Sequence, residues 1–448
     1  MNDLATSEPR LASGGSESAI AVDTFPYYKK IYSRKTLRTA WRVVYSNGIS
    51  SEKEETRRLV KEFSLGIENH LERIYRQFHR DKFQFLPAEG LLIPRKGKKP
   101  RPLVKSPIPN RIVQRAILEV LQSVPALESY YKNSTSFGGI KGRKLGVPGA
   151  VRAVYESIQS GVATYYIRSD VDSFFTRIPR SVVLEKIGLI IPDKKFKNIL
   201  EKATHVELDN LAKLGLSASY FPSYEIGVAQ GCCLSPLLGN ILLEDFDRKL
   251  NERGITCIRY IDDFLILGSD IRKVKAAFKS GLGILSRYGL TAYDPKLAKG
   301  KADEGEVRLG LEFLGCNIRP GMISPTRKSR ERIIAAVKLV LDKSLVLLDL
   351  PEQLWKDGLT AVETLADVGN ILKGWGNQYA FCNDREVLKS IDSQINREIE
   401  NYWKAVTRRY GKFAANKDLS SSRRLLGVHL LTDSKSDPII DSLGRLHS

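Results

Sequence analysis

The run Cys257-Ile-Arg-Tyr260-Ile261-Asp262-Asp263-Phe264-Leu-Ile-Leu267 places two adjacent carboxylates between two short apolar stretches. Each stretch is too short for a helix, so the pattern predicts a strand, a tight turn and a second strand with the acids at the tip. Asp is favoured in turns through its own backbone hydrogen bonding, so an acid pair at a hairpin tip can be a turn former and nothing more. A second segment adds weight to the pair. Tyr165-Tyr-Ile-Arg-Ser-Asp170-Val171-Asp172-Ser-Phe174-Phe175 is a run of β-prone residues that again ends in an acid, followed by paired aromatics. Carboxylates at the ends of separate strands can converge on one point. Their mutual repulsion would then make ionisation costly unless a cation is present.

That arrangement suits phosphoryl transfer, in which charge develops on the attacking and leaving oxygens. Two metal ions about 3.5–4 Å apart stabilise both. Magnesium takes hard oxygen ligands, so Asp residues suffice and neither His nor Cys is required. The five cysteines, Cys232, Cys233, Cys257, Cys316 and Cys382, show no C-x-x-C spacing and the five histidines are scattered, which argues against structural zinc. The cysteines read as small apolar packing residues.

A formal charge of +20 in 448 residues predicts attraction to a polyanion, with nucleic acid the natural candidate. Charge alone does not separate an enzyme from a basic ribosomal or membrane-surface protein. No apolar run of about 18 residues is present, and the N-terminus lacks a basic start followed by an apolar core, so a cytoplasmic protein without membrane contact is expected. With 42% apolar residues, the chain has enough material for two or three packed units.

Residues 1–24 are rich in Ser, Gly and Ala without a sustained apolar period and read as a flexible tail. Between Glu52 and His79 apolar residues recur at helical intervals, with a break near Gly66. Residues 91–115 carry eight basic and no acidic side chains, with Leu91, Ile93, Leu103 and Val104 placed for a β-hairpin that carries the charge. Ile112, Val113, Ala116, Ile117, Val120 and Leu121 then mark the apolar face of a helix. A further helix is expected after Ser235-Pro236, with Ser capping and a stripe running from Leu237 to Leu250. A C-terminal helical unit begins near Lys328 and includes Ile391, Ile395, Ile399 and Trp403; regularity fades after about Lys417.

Tyr260-Ile-Asp-Asp263 resembles the Y-x-D-D box of reverse transcriptases, and Asp170-Val-Asp-Ser-Phe-Phe175 resembles their first catalytic-aspartate motif. Val228-Ala-Gln230-Gly231-Cys-Cys-Leu-Ser235-Pro236 is similar to the Q-G-x-x-x-S-P stretch that precedes the box in bacterial and group II intron enzymes. Arg101-Pro-Leu, Asn110-Arg111-Ile-Val-Gln114 and Phe313-Leu-Gly315 extend the resemblance over roughly residues 90–410. It implies an α+β right-hand polymerase with fingers, a palm built on a ferredoxin-like βαββ core, and a helical thumb. On that reading residues 25–164 hold N-terminal helices and fingers, 165–325 the palm, 326–416 the thumb, and 417–448 a C-terminal tail.

Matched positions imply roles. Asp170, Asp262 and Asp263 would be catalytic and, with the Val171 carbonyl, hold two Mg2+ ions, for which Mn2+ could substitute. Lys99, Arg101, Phe175, Gln230 and Gly231 would bind the nucleotide, although spacing does not say which of Arg95, Lys96, Lys98 and Lys99 reaches the triphosphate. Phe175 falls where the family keeps a steric gate against the ribose 2′-hydroxyl, the alternative being a core aromatic beside Phe174. Arg111, Tyr260, Arg327, Lys328 and Arg330 would contact template and primer, and a solvated helix face is the competing reading for the last three. The implied activity is RNA-directed DNA polymerisation from dNTPs.

Departures bear on the biological role. Group II intron maturases usually carry a G-x-D-G element and a Y-G-F-R-P-G-like segment; the first is not evident and Ser136-Phe-Gly-Gly-Ile-Lys-Gly-Arg143 replaces the second. Retron enzymes typically show N-A-x-x-H and V-T-G motifs, which are missing here. Elimination leaves the defence-associated and abortive-infection reverse transcriptases. The expected partners are an RNA template that can be a dedicated non-coding RNA, the DNA product, and a second protein or second copy. An intron-type maturase or RNA-binding scaffold, and untemplated or protein-primed synthesis, stay open as alternatives.

Overall fold

The computed structural model describes residues 26–433 apart from 52, 96–97, 132, 140–145, 224, 253 and 299, so the N-terminal tail lies outside the described residues. Contacts divide the chain into two units, residues 1–127 with 180–234 and residues 128–179 with 235–448.

In the first unit the helical pattern before residue 80 becomes two helices, Glu54–Ser64 and Ile67–His79, broken at Gly66 as the spacing predicts. The basic segment forms the hairpin β1 (Glu89–Arg95) and β2 (Lys98–Lys105), paired from Glu89 opposite Lys105 to Arg95 opposite Lys98. The helix Ile108–Gln122 follows and buries Ile112, Val113, Ala116, Ile117 and Leu121. Asp193 joins the two sequence halves of this unit. One carboxylate oxygen accepts from the Tyr28 N–H at 2.9 Å, while the other caps the helix Lys194–Thr204 through the Phe196 N–H at 2.9 Å.

The second unit is built on an antiparallel sheet of β3 (Tyr165–Asp170), β4 (Thr256–Tyr260), β5 (Asp263–Gly268) and β6 (Asp303–Glu306), ordered β4-β5-β3-β6. Helical segments from Ser235 to Leu250 separate β3 from β4, and the helix Ile271–Arg287 separates β5 from β6, which gives the ferredoxin-like split βαβ order. β4 and β5 are buried almost throughout, which explains why Phe264-Leu-Ile-Leu267 reads as a continuous apolar run rather than an alternating one. A second sheet of β7 (Leu311–Phe313), β8 (Cys316–Arg319) and β9 (Met322–Pro325) shares a core with β4 and β5 through Ile258, Leu265, Phe313 and Ile318. The helices Arg327–Val346, Ala361–Gln378 and Arg385–Ala415 bury Val337, Leu341, Val368, Ile395, Tyr402 and Val406 in a separate apolar cluster.

Three details differ from the sequence reading. The helix after Ser235-Pro236 is two segments, Ser235–Leu242 and Glu244–Leu250, and Ser235, expected to cap it, is instead its first residue and is buried. Beyond Lys417 a helix at Leu419–Leu426 still forms, with Leu425 fully buried; eight residues are too few for periodicity to announce. Of the cysteines expected as buried apolar residues, Cys257, Cys316 and Cys382 are buried, but Cys232 and Cys233 are only partly so. Among the described residues no helix is long and apolar enough to cross a membrane.

Candidate active site

β3 ends at Asp170 and β5 begins at Asp263, and these two residues face each other in the antiparallel ladder. β4 ends at Tyr260, also opposite Asp263, which leaves a two-residue connection of Ile261 and Asp262. Ile261 adopts φ 62°. Two-residue hairpin turns that follow the strand twist need positive φ at the first central residue, a place glycine usually takes. A β-branched residue there stores roughly 1–3 kcal/mol, held in place by its surroundings. The Asp262 carbonyl accepts from the Val171 N–H at 3.0 Å, tying the turn to the residue after Asp170. The three acids singled out from the sequence are thus brought to one end of one sheet.

The electrostatics fit a cation site. Burial, with the neighbouring Asp262 and Asp170 charges adding to it, pushes the Asp263 carboxyl up to about 7; Arg168 and Lys301 offset this only in part. Lys301 Nζ lies 3.1 Å from Asp170 Oδ2 and 4.2 Å from the centre of the Tyr293 ring. Burial pulls Lys301 down, but Asp170 and Tyr293 outweigh it and hold its pKa above the ordinary value. The Tyr293 hydroxyl donates to Asp172, the Asp172 N–H donates to the Thr291 carbonyl at 2.8 Å, and Ser169 Oγ donates to the Tyr293 carbonyl at 2.8 Å. A loop about 120 residues away in sequence is therefore stitched along the end of β3.

Three carboxylates without His or Cys form the donor set that hard divalent cations take. The repulsion that raises Asp263 is also what a divalent charge would relieve. Among the described residues no group of three or more His, Cys, Asp or Glu side chains is gathered closely enough to hold a metal ion as it stands, and Lys301 supplies part of the positive charge beside Asp170.

Phe174 is 2% exposed and packs on Gly239, where an added Cβ would lie 2.7 Å from the ring. It is the core aromatic of the pair, and Phe175 remains partly exposed beside it. Tyr260 is half-buried, and Val171 is buried. Among the cations in the first turn of the helix Arg327–Val346, Arg327 pairs with Glu331 at 2.7 Å and Lys328 is exposed. Arg330 is half-buried with Nε lacking a hydrogen-bond partner, and it lines a cleft of about 240 Å³ with Ser390 and Gln394.

The remaining expected site residues belong to the first unit. Arg101 Nε donates to Gln230 Oε1 at 2.8 Å, and the Gln230 carbonyl accepts from the Val104 N–H at 2.9 Å, so the hairpin and the Gln230-Gly231 segment form one surface. Gly231 has φ 107° and lies so close to Val104 that a Cβ would meet its carbonyl oxygen at 3.0 Å. Lys99 is exposed on β2; Lys96 lies outside the described residues, and Arg95 donates to the Lys99 carbonyl at 3.1 Å. Arg111 stands half-buried in the first turn of its helix, and desolvation lowers its pKa.

Sequence reasoning missed Lys301, Tyr293 and Arg168 as neighbours of the acid cluster. Lys301 and Tyr293 lie in an irregular loop where spacing carries no signal. Arg168 sits within a strand read only for its apolar neighbours.

A family model described as reverse transcriptase (RNA-dependent DNA polymerase) matches residues 93–318, half of the chain. The chain is 33% identical over 180 residues to protein YkfC of Escherichia coli, a match covering 39% of this chain and 43% of that one. It is 24% identical over 215 residues to the group II intron-encoded protein LtrA of Lactococcus lactis, covering 46% and 32%. The matches thus span less than half the length of these curated relatives. A solved telomerase of Candida albicans is similar at a TM-score of 0.39 and 11% identity, over 84% of this chain and 67% of that one. On the matched span, which includes the sheet end carrying Asp170, Asp262 and Asp263, the chain belongs to the reverse transcriptase (RNA-dependent DNA polymerase) family.

Proposed function

We propose that this chain is an RNA-directed DNA polymerase that extends a primer with dNTPs at the Asp170, Asp262 and Asp263 cluster. The observation that carries this reading is the placement of Asp170 opposite Asp263, with Asp262 in the strained turn between β4 and β5. Asp170 and Asp262 would hold two divalent cations, with Asp263 and the Val171 carbonyl completing the set. When bound, Mg2+ or Mn2+ supplies Lewis-acid stabilisation of charge on the attacking and leaving oxygens. Lys99 and Arg101 would hold the triphosphate, Gln230 and Gly231 would line the nucleotide pocket, and Phe175 would stand against a ribose 2′-hydroxyl. Arg111, Tyr260, Arg327, Lys328 and Arg330 would track the template and primer backbones, residues 326–416 acting as the thumb.

We place the activity in cytoplasmic antiviral defence with a non-coding RNA partner. Support comes from departures: the Ser136–Arg143 segment replaces the maturase motif, and retron motifs are missing. The test is to sequence nucleic acids that copurify with the wild type and with Asp262→Asn after expression with native flanking DNA. A discrete RNA in both, with complementary DNA in the wild type alone, is the expected result. Synthesis retained by Asp262→Asn would sink the site assignment; DNA without complementary RNA would replace templated by untemplated synthesis.

A further inference from the structure

Arg259 is completely buried, directly beneath the turn that carries Asp262. Its Nε and Nη2 donate to the two carboxylate oxygens of Asp247 at 2.6 and 2.5 Å, and Asp247 is itself 2% exposed. The remaining nitrogen, Nη1, donates to Asn240 Oδ1 at 3.1 Å and to the Ile261 carbonyl at 2.8 Å. That carbonyl belongs to the residue held at φ 62°.

The surrounding shell fixes the guanidinium in turn. The Arg259 N–H donates to the Thr135 carbonyl at 2.8 Å, and its own carbonyl accepts from Phe137 N–H at 2.9 Å. Asn240 Nδ2 donates to the Gly138 carbonyl at 3.1 Å, and Asn133 Nδ2 to Asp247 Oδ2 at 3.3 Å. Gly138 lies so close to the turn that a Cβ would meet the Ile261 nitrogen at 2.6 Å. The Ser136-Phe-Gly-Gly139 stretch, left without a role in the sequence reading, is therefore the seat of the turn.

A buried ion pair is poor evidence of a stabilising role, because well-packed apolar residues of similar volume often do as well or better. What an apolar pair lacks is a donor for the Ile261 carbonyl. A planar guanidinium can grip Asp247 with two donors and still direct a third along a fixed line, which a lysine ammonium cannot do. We propose that Arg259 is a positioning residue for the polymerase reaction: through the Ile261 carbonyl it holds the left-handed turn that aims Asp262 at the cation site. The inference rests on the proposed function, and its test reads cation binding directly so that it does not depend on synthesis.

The full-length wild type, Arg259→Lys, and Arg259→Lys combined with Ile261→Gly would be compared by Mn2+ titration followed by electron paramagnetic resonance, with thermal unfolding measured in chelator. Arg259→Lys should weaken Mn2+ binding about tenfold, the size of effect expected for a ligand displaced by a fraction of an ångström. Glycine accepts positive φ without an anchor, so the double variant should recover affinity to within about twofold while its melting temperature stays low. Recovery of neither property, or loss of melting temperature with Mn2+ affinity intact, would overturn the proposal. If Arg259→Lys does not fold, the apolar pair Arg259→Met with Asp247→Leu serves instead: near-native melting with weakened Mn2+ binding supports the anchor, and near-native Mn2+ binding refutes it. A wild type that binds no Mn2+ would overturn the anchor's target along with the cation site; one that binds Mn2+ but makes no DNA would refute the polymerase reading and leave the anchor standing.

Discussion

Asp263 is a residue whose acidity is set by its burial and its neighbours. Its carboxyl is pushed from 3.8 up to about 7 by burial and by the Asp262 and Asp170 charges. A folded-state pKa above the unfolded value means that the native chain binds more protons between the two, so stability falls as pH rises through that window. In chelator, the melting temperature should therefore decline from about pH 4 to pH 7 by an amount that Asp263→Asn abolishes, and that variant should melt higher than wild type at pH 8. A pH profile unchanged by the substitution would show that Asp263 ionises normally and that the carboxylates do not crowd. On the proposed assignment Asp262→Asn should end synthesis yet leave RNA binding in place, because it would remove a cation ligand without disturbing the basic surfaces.

Among the elements, the β4–β5 hairpin is the one whose shape was readable and whose support was not. Two apolar runs around an acid pair are sufficient to place strand, turn and strand, because side-chain period and turn chemistry are local properties. The seat under the turn is not local. Gly138 lies 123 positions before Ile261, and its contact with the turn exists only once the strands have paired. Gly138→Ala places a methyl 2.4 Å from Ile261 Cγ1, so the hairpin tip must shift. Primer extension should fall by roughly 10²-fold, the cost of an ångström-scale misplacement at a reacting centre, while the unfolding midpoint changes far less. Full activity in that variant would mean that the tip tolerates displacement. The basic hairpin β1–β2 was equally legible as a hairpin, but only the fold shows Arg101 held by Gln230, a partner 129 positions away.

At the scale of the whole molecule, a net charge of +20 predicts that the proposed nucleic-acid binding is salt-dependent and driven by counterion release. If roughly six or more phosphates are neutralised, affinity for an RNA–DNA duplex should drop about 10³-fold between about 50 and 200 mM salt, and Asp262→Asn should share the same slope. A slope near zero would show that the positive charge is solvated rather than used. Periodicity located the strands and helices and composition the basic stretches, because both are local properties that need no tertiary information, while the polymerase-type fold and the grouping of Asp170 with Asp262 and Asp263 followed from the resemblance of the ordered motifs to reverse transcriptases. Tertiary structure alone decided which aromatic of Phe174 and Phe175 is core, that Lys301 and Tyr293 brace Asp170 and Asp172, and that Arg259 reaches back to grip Ile261. Each of those contacts joins residues through sheet pairing or buried hydrogen bonds, and a linear pattern does not encode which distant donor and acceptor will be left facing each other when the core closes.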